Sequence, residues 1–129
     1  MNVEETIREY YETLRRGGQL HPYFLEGDST TKFGVSEAVF GYEDVADALR
    51  EQAESTAEWT VESENLVVDD RDEYAIFADE VTLAWTDTQS GQRWRFDTRW
   101  SGTLERQGLD ADQAEWKFRT MHVSAPHQL

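Results

Sequence analysis

The second half of the chain alternates polar and apolar residues with a period of two, and this pattern constrains the fold more than any other feature of the sequence. The alternation begins near Trp59 and continues through several segments, as expected for β-strands whose side chains point to opposite faces of a sheet. The last two segments, residues 93–105 and 116–124, are joined by a polar connection. They predict a pair of antiparallel strands at the end of the domain.

The first half of the chain has the period of amphipathic helices. Apolar and aromatic residues at the i, i+3, i+4 and i+7 spacing predict a helix over residues 3–16. These residues are Val3, Ile7, Tyr10, Tyr11 and Leu14. The glycine pair at 17–18 ends this helix. A second helix is predicted from Tyr42, directly after Gly41, to about Thr56.

Further strands are predicted at residues 32–35, in one segment spanning 59–68, and in a long segment spanning 74–86. Helices followed by long antiparallel strands favour an α+β fold, in which a curved antiparallel sheet is wrapped around the N-terminal helices. The chain has 129 residues and shows no interdomain linker, so a single domain over residues 1–129 is predicted.

Cysteine is absent, and the histidines at 21, 122 and 127 include no close pair. These features argue against disulfides, thiolate ligands and a zinc site. The acidic loop at 109–113 offers carboxylate oxygens but lacks the glycine and the terminal glutamate of a calcium-binding loop, so we interpret it as solvated surface. We therefore expect no metal site and no cofactor.

The net charge is −15, and only two of the twelve basic residues are lysines. A surface this acidic repels phosphates and anionic lipids, so neither nucleic acid nor a membrane is an expected partner. No apolar run reaches the ~20 residues of a membrane helix and the N-terminus lacks the pattern of a signal peptide, so we expect a cytoplasmic location. The acidic excess resembles proteins of salt-accumulating halophiles; an acidic protein adapted to ordinary salt is the alternative.

The strand predicted over 93–105 carries a charged row on one face and an aromatic row on the other. The charged row comprises Arg95, Asp97 and Arg99, and the aromatic row comprises Trp94, Phe96 and Trp100. The charged row could bind an anionic ligand through its guanidinium groups, or it could be a solvated ladder of ion pairs. The aromatic row is too apolar to remain in water, so we expect a twofold homodimer to bury it or the core to contain it.

The last strand carries the second group of candidate site residues. Simple alternation places five residues on one face: Trp116, Phe118, Thr120, His122 and Ser124. His122 could act as a general acid or base near neutral pH, or it could be a buried imidazole bonded to a neighbouring hydroxyl. Asp97 is a second candidate base, because its neighbouring arginines favour the ionised carboxylate.

Three segments together resemble the nuclear transport factor 2-like superfamily, also called ketosteroid isomerase-like, and within it the SnoaL-like group. The segments are the Trp116, His122, Ser124 spacing, the Thr98-Arg99-Trp100 strand, and Phe40-Gly41-Tyr42 leading into the second helix. The association domain of calcium/calmodulin-dependent protein kinase II resembles the same tail. The resemblance implies a cone-shaped fold, usually dimeric, with a pocket between the concave sheet and the helices.

The resemblance also implies roles for particular residues. In the kinase association domain the arginine that corresponds to Arg99 projects into the pocket. In ketosteroid isomerase the catalytic base lies on the first strand after the early helices. The matching segment here, residues 32–37, contains no aspartate; only Glu37 lies nearby, with Asp28 upstream. This departure from the pattern argues against isomerase activity.

The predicted ligand pocket comprises Arg99, His122, Arg95, Tyr10, Phe33 and Trp85. Tyr10 could donate a hydrogen bond into a pocket or belong to the core, and the aromatic residues could be pocket walls or core.

Three functions remain open on the sequence alone. The first is a homodimeric domain that binds a small, partly apolar, possibly anionic molecule in its pocket. The second is an acid/base isomerase or dehydratase that uses Asp97 or His122. The third is a dimeric assembly module without catalysis.

Overall fold

The structure, a computed structural model, describes residues 1–108 and 115–129. Its helices are α1 (Val3–Arg16) and α2 (Tyr42–Ser55), with a 3-10 turn at His21–Tyr23. Its strands are β1 (Thr31–Phe33), β2 (Ala38–Phe40), β3 (Thr56–Ser63), β4 (Val67–Asp70), β5 (Tyr74–Asp87), β6 (Arg93–Gln107) and β7 (Glu115–Ser124). The interpretation of the loop 109–113 as solvated surface falls on residues outside the described ranges.

Helix α1 forms where the sequence predicts it, because both of its ends carry strong local signals. The Asn2 side chain accepts a hydrogen bond from the Glu5 backbone at 2.8 Å, and the Glu5 carboxylate accepts one from the Asn2 backbone at 3.2 Å. This reciprocal pair satisfies backbone donors that the first turn leaves without partners. Gly17 ends the helix in the left-handed conformation, with φ of 72°.

The strands form one curved, open sheet in the order β2-β1-β7-β6-β5-β3, with β4 pairing against the other end of β5. Strand β1 runs parallel to β7, and the remaining pairs are antiparallel. The predicted α+β class and the curved sheet around the helices are confirmed.

The prediction of one continuous strand over residues 59–68 is wrong. Strands β3 and β4 pair with different parts of β5, and the chain leaves the sheet between them. The buried carboxylate of Asp79 explains the break, because it accepts a hydrogen bond from the Asn65 backbone at 2.9 Å and one from the Ser63 hydroxyl at 2.6 Å. The short strand β2 was missed, since its three residues carry no visible alternation.

A β-bulge in β7 changes which residues share a face. Thr103 pairs with Thr120 and Leu104 pairs with Phe118, which leaves Arg119 as the extra residue. An extra residue reverses the alternation beyond it. Phe118 therefore points inward, whereas His122 points outward and is exposed.

The prediction that His122 shares a face with Trp116 and Phe118 is therefore wrong. Met121 and Val123 take the inward positions after the bulge, and both are buried. Gly102 lies opposite the bulge, where an added Cβ would come within 2.2 Å of the Thr120 carbonyl oxygen. Only glycine permits this approach of the two backbones.

The core lies between α1 and the concave face of the sheet. The rings of Tyr10 and Tyr11 meet Trp100 edge to face, at centroid distances of 6.1 and 5.3 Å. The Tyr11 hydroxyl donates to the Asp79 carboxylate at 2.9 Å, so the helix is also joined to the sheet by a buried polar bond. Each large side chain buried here contributes roughly 1.5–3 kcal/mol to folding.

Candidate functional site

A cavity of about 420 Å³ lies between the concave face of the sheet and the two helices. Its apolar lining includes six side chains: Trp59, Leu83, Trp85, Trp94, Phe96 and Trp100. Its polar lining includes six more: Tyr10, Lys32, Ser36, Glu37, Gln52 and Thr56. The volume lies within the range of small-molecule sites, and an apolar wall with few polar groups is their usual composition.

Four stacked rings form the aromatic wall of the cavity, and they come from three adjacent strands. In order along the stack they are Trp59, Trp85, Phe96 and Trp94. Successive centroids are 4.9, 5.6 and 6.1 Å apart, with interplanar angles of 24°, 28° and 7°. Trp94, at the end of the stack, is 40% exposed. The four rings together give the cavity a large apolar wall.

A local distortion of β3 positions Trp59 in this wall. Glu58 has φ of 56°, in the left-handed region that favours glycine, and the register with β5 shifts at this point. Arg93 of β6 reaches across β5 to hold the distorted segment, donating to the Glu58 carbonyl and to the Thr60 hydroxyl. The Trp59 indole then donates to the Thr56 hydroxyl at 2.9 Å, which fixes the ring at the cavity.

A single ion pair forms the polar end of the cavity. The Lys32 Nζ donates to the Glu37 Oε1 at 2.7 Å. The Lys32 side chain is 8% exposed, whereas that of Glu37 is 39% exposed. Among the described residues that line the cavity, Lys32 carries the only positive charge and Glu37 the only negative charge.

The turn between β1 and β2 holds Glu37 over the cavity. The Gly34 backbone donates to the Glu37 carbonyl at 2.9 Å, which closes the turn. A Cβ at Gly34 would lie 2.9 Å from the Glu37 side chain, so glycine leaves the space in which this side chain folds back toward Lys32. Lys32 points inward because it lies beside the inward-facing Met121 in the parallel β1–β7 pair.

Tyr10 projects into the same cavity from α1. It is 2% exposed, and burial raises the pKa of its hydroxyl, with a further contribution from the negative charge of Glu37. The hydroxyl is therefore neutral at physiological pH and able to donate a hydrogen bond. Tyr10 lines the cavity, and its hydroxyl makes no hydrogen bond to residues 1–108 or 115–129.

Of the residues predicted for the site, Tyr10 and Trp85 line the cavity. Phe33 lies on the opposite face of β1 from Lys32, where its ring packs against His122 and Phe40 at 5.6 Å from each. His122 thus belongs to a small aromatic cluster on the outer face of the sheet. The structure does not bring Phe33 or His122 together with Tyr10.

The charged row of β6 also lies on the outer face. Arg95 and Asp97 form an ion pair at 3.4 Å with side chains 65% and 71% exposed, and Arg99 is exposed as well. The alternation of charged and aromatic rows is as predicted, but the aromatic row is the one that faces the cavity. The helices cover this face, since it carries the larger apolar surface. Trp100 is therefore buried in the core and cannot form a dimer surface.

Sequence reasoning missed the polar end of the cavity. Lys32 is one of two lysines in an arginine-rich chain, and this scarcity was its only signal. The only signal for Glu37 was its place near the segment that carries the catalytic base in ketosteroid isomerase. Gln52 and Thr56 at the end of α2 gave no pattern at all. In the part of the chain that the structure describes, no three His, Asp or Glu side chains are grouped so as to hold a metal ion.

A curved, open sheet that wraps two helices, with a cavity on its concave side, is the nuclear transport factor 2-like cone fold. The family model of the SnoaL-like domain matches residues 3–128. The chain therefore belongs to the SnoaL-like domain family. No sequence among the curated proteins matches it.

Solved structures share this fold at low sequence identity. A nuclear transport factor 2-like protein from Salmonella enterica is 14% identical, with a TM-score of 0.80 over 96% of this chain and 88% of the other. A candidate scytalone dehydratase from Novosphingobium aromaticivorans is 13% identical, with a TM-score of 0.79 over 97% and 82%. A ketosteroid isomerase-like protein from Erwinia carotovora is 14% identical, with a TM-score of 0.75 over 98% and 95%.

Neither α1 nor α2, nor any other helix within the described ranges, has the length and apolar character required to cross a bilayer.

Proposed function

We propose that this protein binds a small, partly apolar molecule in the cavity, with the flat part of the ligand against the aromatic wall. The polar part of the ligand faces Tyr10 and the Lys32–Glu37 ion pair. One observation carries the proposal: an open cavity has four stacked rings on one side and a single, mostly buried ion pair at its polar end. A domain that only assembles has no need of this combination, because an apolar core is more stable without a buried charge.

Calorimetric titration with two-ring aromatic compounds tests the proposal. The probes are 2-naphthol, 2-naphthamide and 2-naphthoate, which share one flat ring system and differ in their polar group. Trp85→Ala removes the central ring of the wall and should weaken binding by about 10-fold, which corresponds to about 1.4 kcal/mol. Arg99→Ala and His122→Ala change the outer face and serve as matched controls, with affinity unchanged.

The proposal fails if none of the three probes binds the wild type. It also fails if the two outer-face variants lose affinity to the same extent as Trp85→Ala, because the ligand would then lie on the opposite face of the sheet.

Acid/base catalysis is a second candidate, and the presence of Glu37, Lys32 and Tyr10 around one cavity favours it. A carboxylate can remove a proton next to a carbonyl group, while a neutral hydroxyl and an ammonium group stabilise the oxyanion that forms. Asp97 and His122, the candidate bases from the sequence, lie outside the cavity, so this role passes to Glu37. Similarity to a candidate dehydratase and to an isomerase-like protein is consistent with such chemistry.

Proton exchange tests this second candidate. In deuterated buffer, the protein should accelerate exchange of the α-protons of 2-tetralone, a flat enolisable ketone, above the rate in buffer alone. Glu37→Gln should abolish the acceleration and Asp97→Asn should leave it unchanged. Equal rates for the wild type and Glu37→Gln would remove Glu37 from the mechanism.

We also propose that the chain forms a homodimer through the outer face of the sheet. Tyr74, Ile76 and Val67 project from this face near β4 and are 49%, 47% and 63% exposed. Adjacent exposed apolar side chains favour association. Light scattering should give twice the chain mass for the wild type and a smaller mass for Ile76→Glu; a monomeric wild type would exclude the dimer.

A further inference from the structure

We infer that Glu37 is a resident counter-ion that a ligand carboxylate displaces from Lys32, so that the cavity selects flat aromatic monocarboxylates. The inference rests on the proposed binding function and adds the chemical class of the ligand. The observation behind it is that the Lys32 side chain is mostly buried, whereas the Glu37 side chain is partly exposed to solvent.

The two partners of this ion pair differ in how firmly the fold holds them. Lys32 lies on β1, which is paired on both sides, with β2 and with β7. Its ammonium group is mostly buried and must keep an anionic partner, because an isolated charge in an apolar cavity is strongly unfavourable. Lys32 is therefore the fixed member of the pair.

Glu37 is the replaceable member. It lies at the end of a short turn, and more than a third of its side chain is in contact with solvent. Its only described hydrogen bond through the side chain is the one to Lys32. A rotation of this side chain toward water would cost little, since a hydrated carboxylate needs no protein partner.

Exchange of one carboxylate for another conserves the charge of the cavity. The ammonium group of Lys32 remains paired with a carboxylate, and the Glu37 carboxylate is hydrated by water in place of its hydrogen bond to Lys32. Tyr10 lines the same cavity, and its neutral hydroxyl can donate to the second oxygen of the ligand carboxylate. The aromatic wall then accepts the ring. A neutral ligand would leave the Lys32–Glu37 pair intact, and a dianion would bring one uncompensated negative charge.

A substitution that strengthens binding is the sharpest test. Glu37→Gln removes the competing carboxylate, so it should tighten the binding of 2-naphthoate by at least about 10-fold in calorimetric titration. The affinity for 2-naphthamide, a neutral compound of the same shape, should change by less than about 3-fold. Lys32→Met should weaken 2-naphthoate by about 10-fold or more, with a smaller effect on 2-naphthamide.

Asp97→Asn is the matched control for long-range electrostatics. It removes one negative charge from the outer face and leaves the cavity untouched. A general attraction of anions to a less acidic protein would improve 2-naphthoate binding equally in Asp97→Asn and Glu37→Gln. The inference requires the improvement in Glu37→Gln alone.

Unchanged or weaker binding of 2-naphthoate to Glu37→Gln overturns the inference. If 2-naphthamide still binds the wild type, the proposed binding function survives and only the selection of carboxylates is lost. If none of the probes binds the wild type, both are rejected. If Lys32→Met does not fold, the comparison of Glu37→Gln with Asp97→Asn still decides the question.

Discussion

Lys32 shows why the identity of a site residue could not be deduced from local sequence. Its short strand has three residues, too few for the alternation to indicate which face is buried. Its inward position depends on pairing with β7, almost ninety residues away in the chain. Tyr10 could be assigned to the inward face of α1 because a helix face is specified by many residues, whereas the face of a short strand is specified by its neighbours.

Glu58 offers a prediction at the scale of one residue. Its φ of 56° is unfavourable for a side chain with a Cβ atom and is tolerated by glycine. Glu58→Gly should therefore raise the free energy of unfolding by about 0.5–1 kcal/mol, measured by urea denaturation. Glu62→Gly, in the same strand at an ordinary position, is the control and should lower it by a similar amount. Destabilisation by both substitutions would contradict a strained backbone at Glu58 in β3.

The bulge in β7 accounts for the largest error in the sequence-based placement of elements. The end of α1 and the start of α2 could be predicted from their glycines, and the alternation of β6 from its period of two. The extra residue at Arg119 could not, because nothing in a single strand distinguishes a continued alternation from one that is shifted by a residue. Within β7, Trp116 and Phe118 before the bulge share the inward face as predicted, and His122 beyond it is reversed.

Gly102 provides a test of the bulge itself. An added methyl group would meet the Thr120 carbonyl and the ring of Phe77, both of which are fixed by the sheet and the core. Gly102→Ala should lower the free energy of unfolding by about 1–3 kcal/mol. Ser101→Ala, at the exposed neighbouring position, should change it by less than about 0.5 kcal/mol. Equal effects in urea denaturation would show that the close approach is absent.

The ion pair of Arg119 and Glu105 across the bulge gives the stability a defined pH dependence. The Arg119 guanidinium donates to Glu105 at 2.7 and 3.3 Å and holds the pKa of that carboxyl below its ordinary value. The stabilisation is therefore fully present above pH 4.5, the ordinary value, and is lost as pH falls through the lower folded pKa. Glu105 is partly exposed, so the effect is small, below about 1 kcal/mol.

Glu105→Gln should thus be less stable than the wild type at pH 7, and the difference should shrink at acidic pH. Arg119→Gln also removes the hydrogen bond from Arg119 to the Ser29 hydroxyl at 2.8 Å, so it should lose at least this increment, and the double variant should lose no more than Arg119→Gln alone. A difference between wild type and Glu105→Gln that stays constant from pH 7 to pH 3 would contradict the pairing.

At the scale of the whole molecule, the sequence specified the fold better than the site. The long periodic segments and the SnoaL-like resemblance predicted the α+β cone, and the fold and the family bear this out. The sheet face that lines the cavity could not be predicted, because alternation defines two faces without saying which one the helices cover. The cavity itself arises where six separate segments of the described chain meet.

The acidity of the chain leads to a prediction about salt. The acidic side chains behind the net charge of −15 repel one another at low ionic strength. Salt weakens this repulsion, because the electrostatic screening length falls from ~10 Å at 0.1 M salt to ~3 Å at 1 M. We propose an adaptation to concentrated salt, so the free energy of unfolding should rise from 0.1 to 2 M KCl. A flat or falling response would reject it.

Helix α2 supplies a control for this salt response. Its last turn contains no basic residue, and Glu54 lies there beside the negative end of the helix dipole. Glu54→Gln should raise stability at 0.1 M KCl by roughly 0.3–1 kcal/mol and leave stability at 2 M nearly unchanged. A gain of the same size at both salt concentrations would show that the repulsion is not the cause.

The most direct test of the binding site is a crystal structure of the wild-type protein grown with 2-naphthoate. The ring should lie against Trp85 and Phe96, the ligand carboxylate should lie about 2.8 Å from the Lys32 Nζ, and Glu37 should point to solvent. A ring in the cavity with the Lys32–Glu37 pair unbroken would contradict the exchange of carboxylates. A ligand on the outer face beside Arg99, or a cavity filled by protein side chains, would contradict the proposed site altogether.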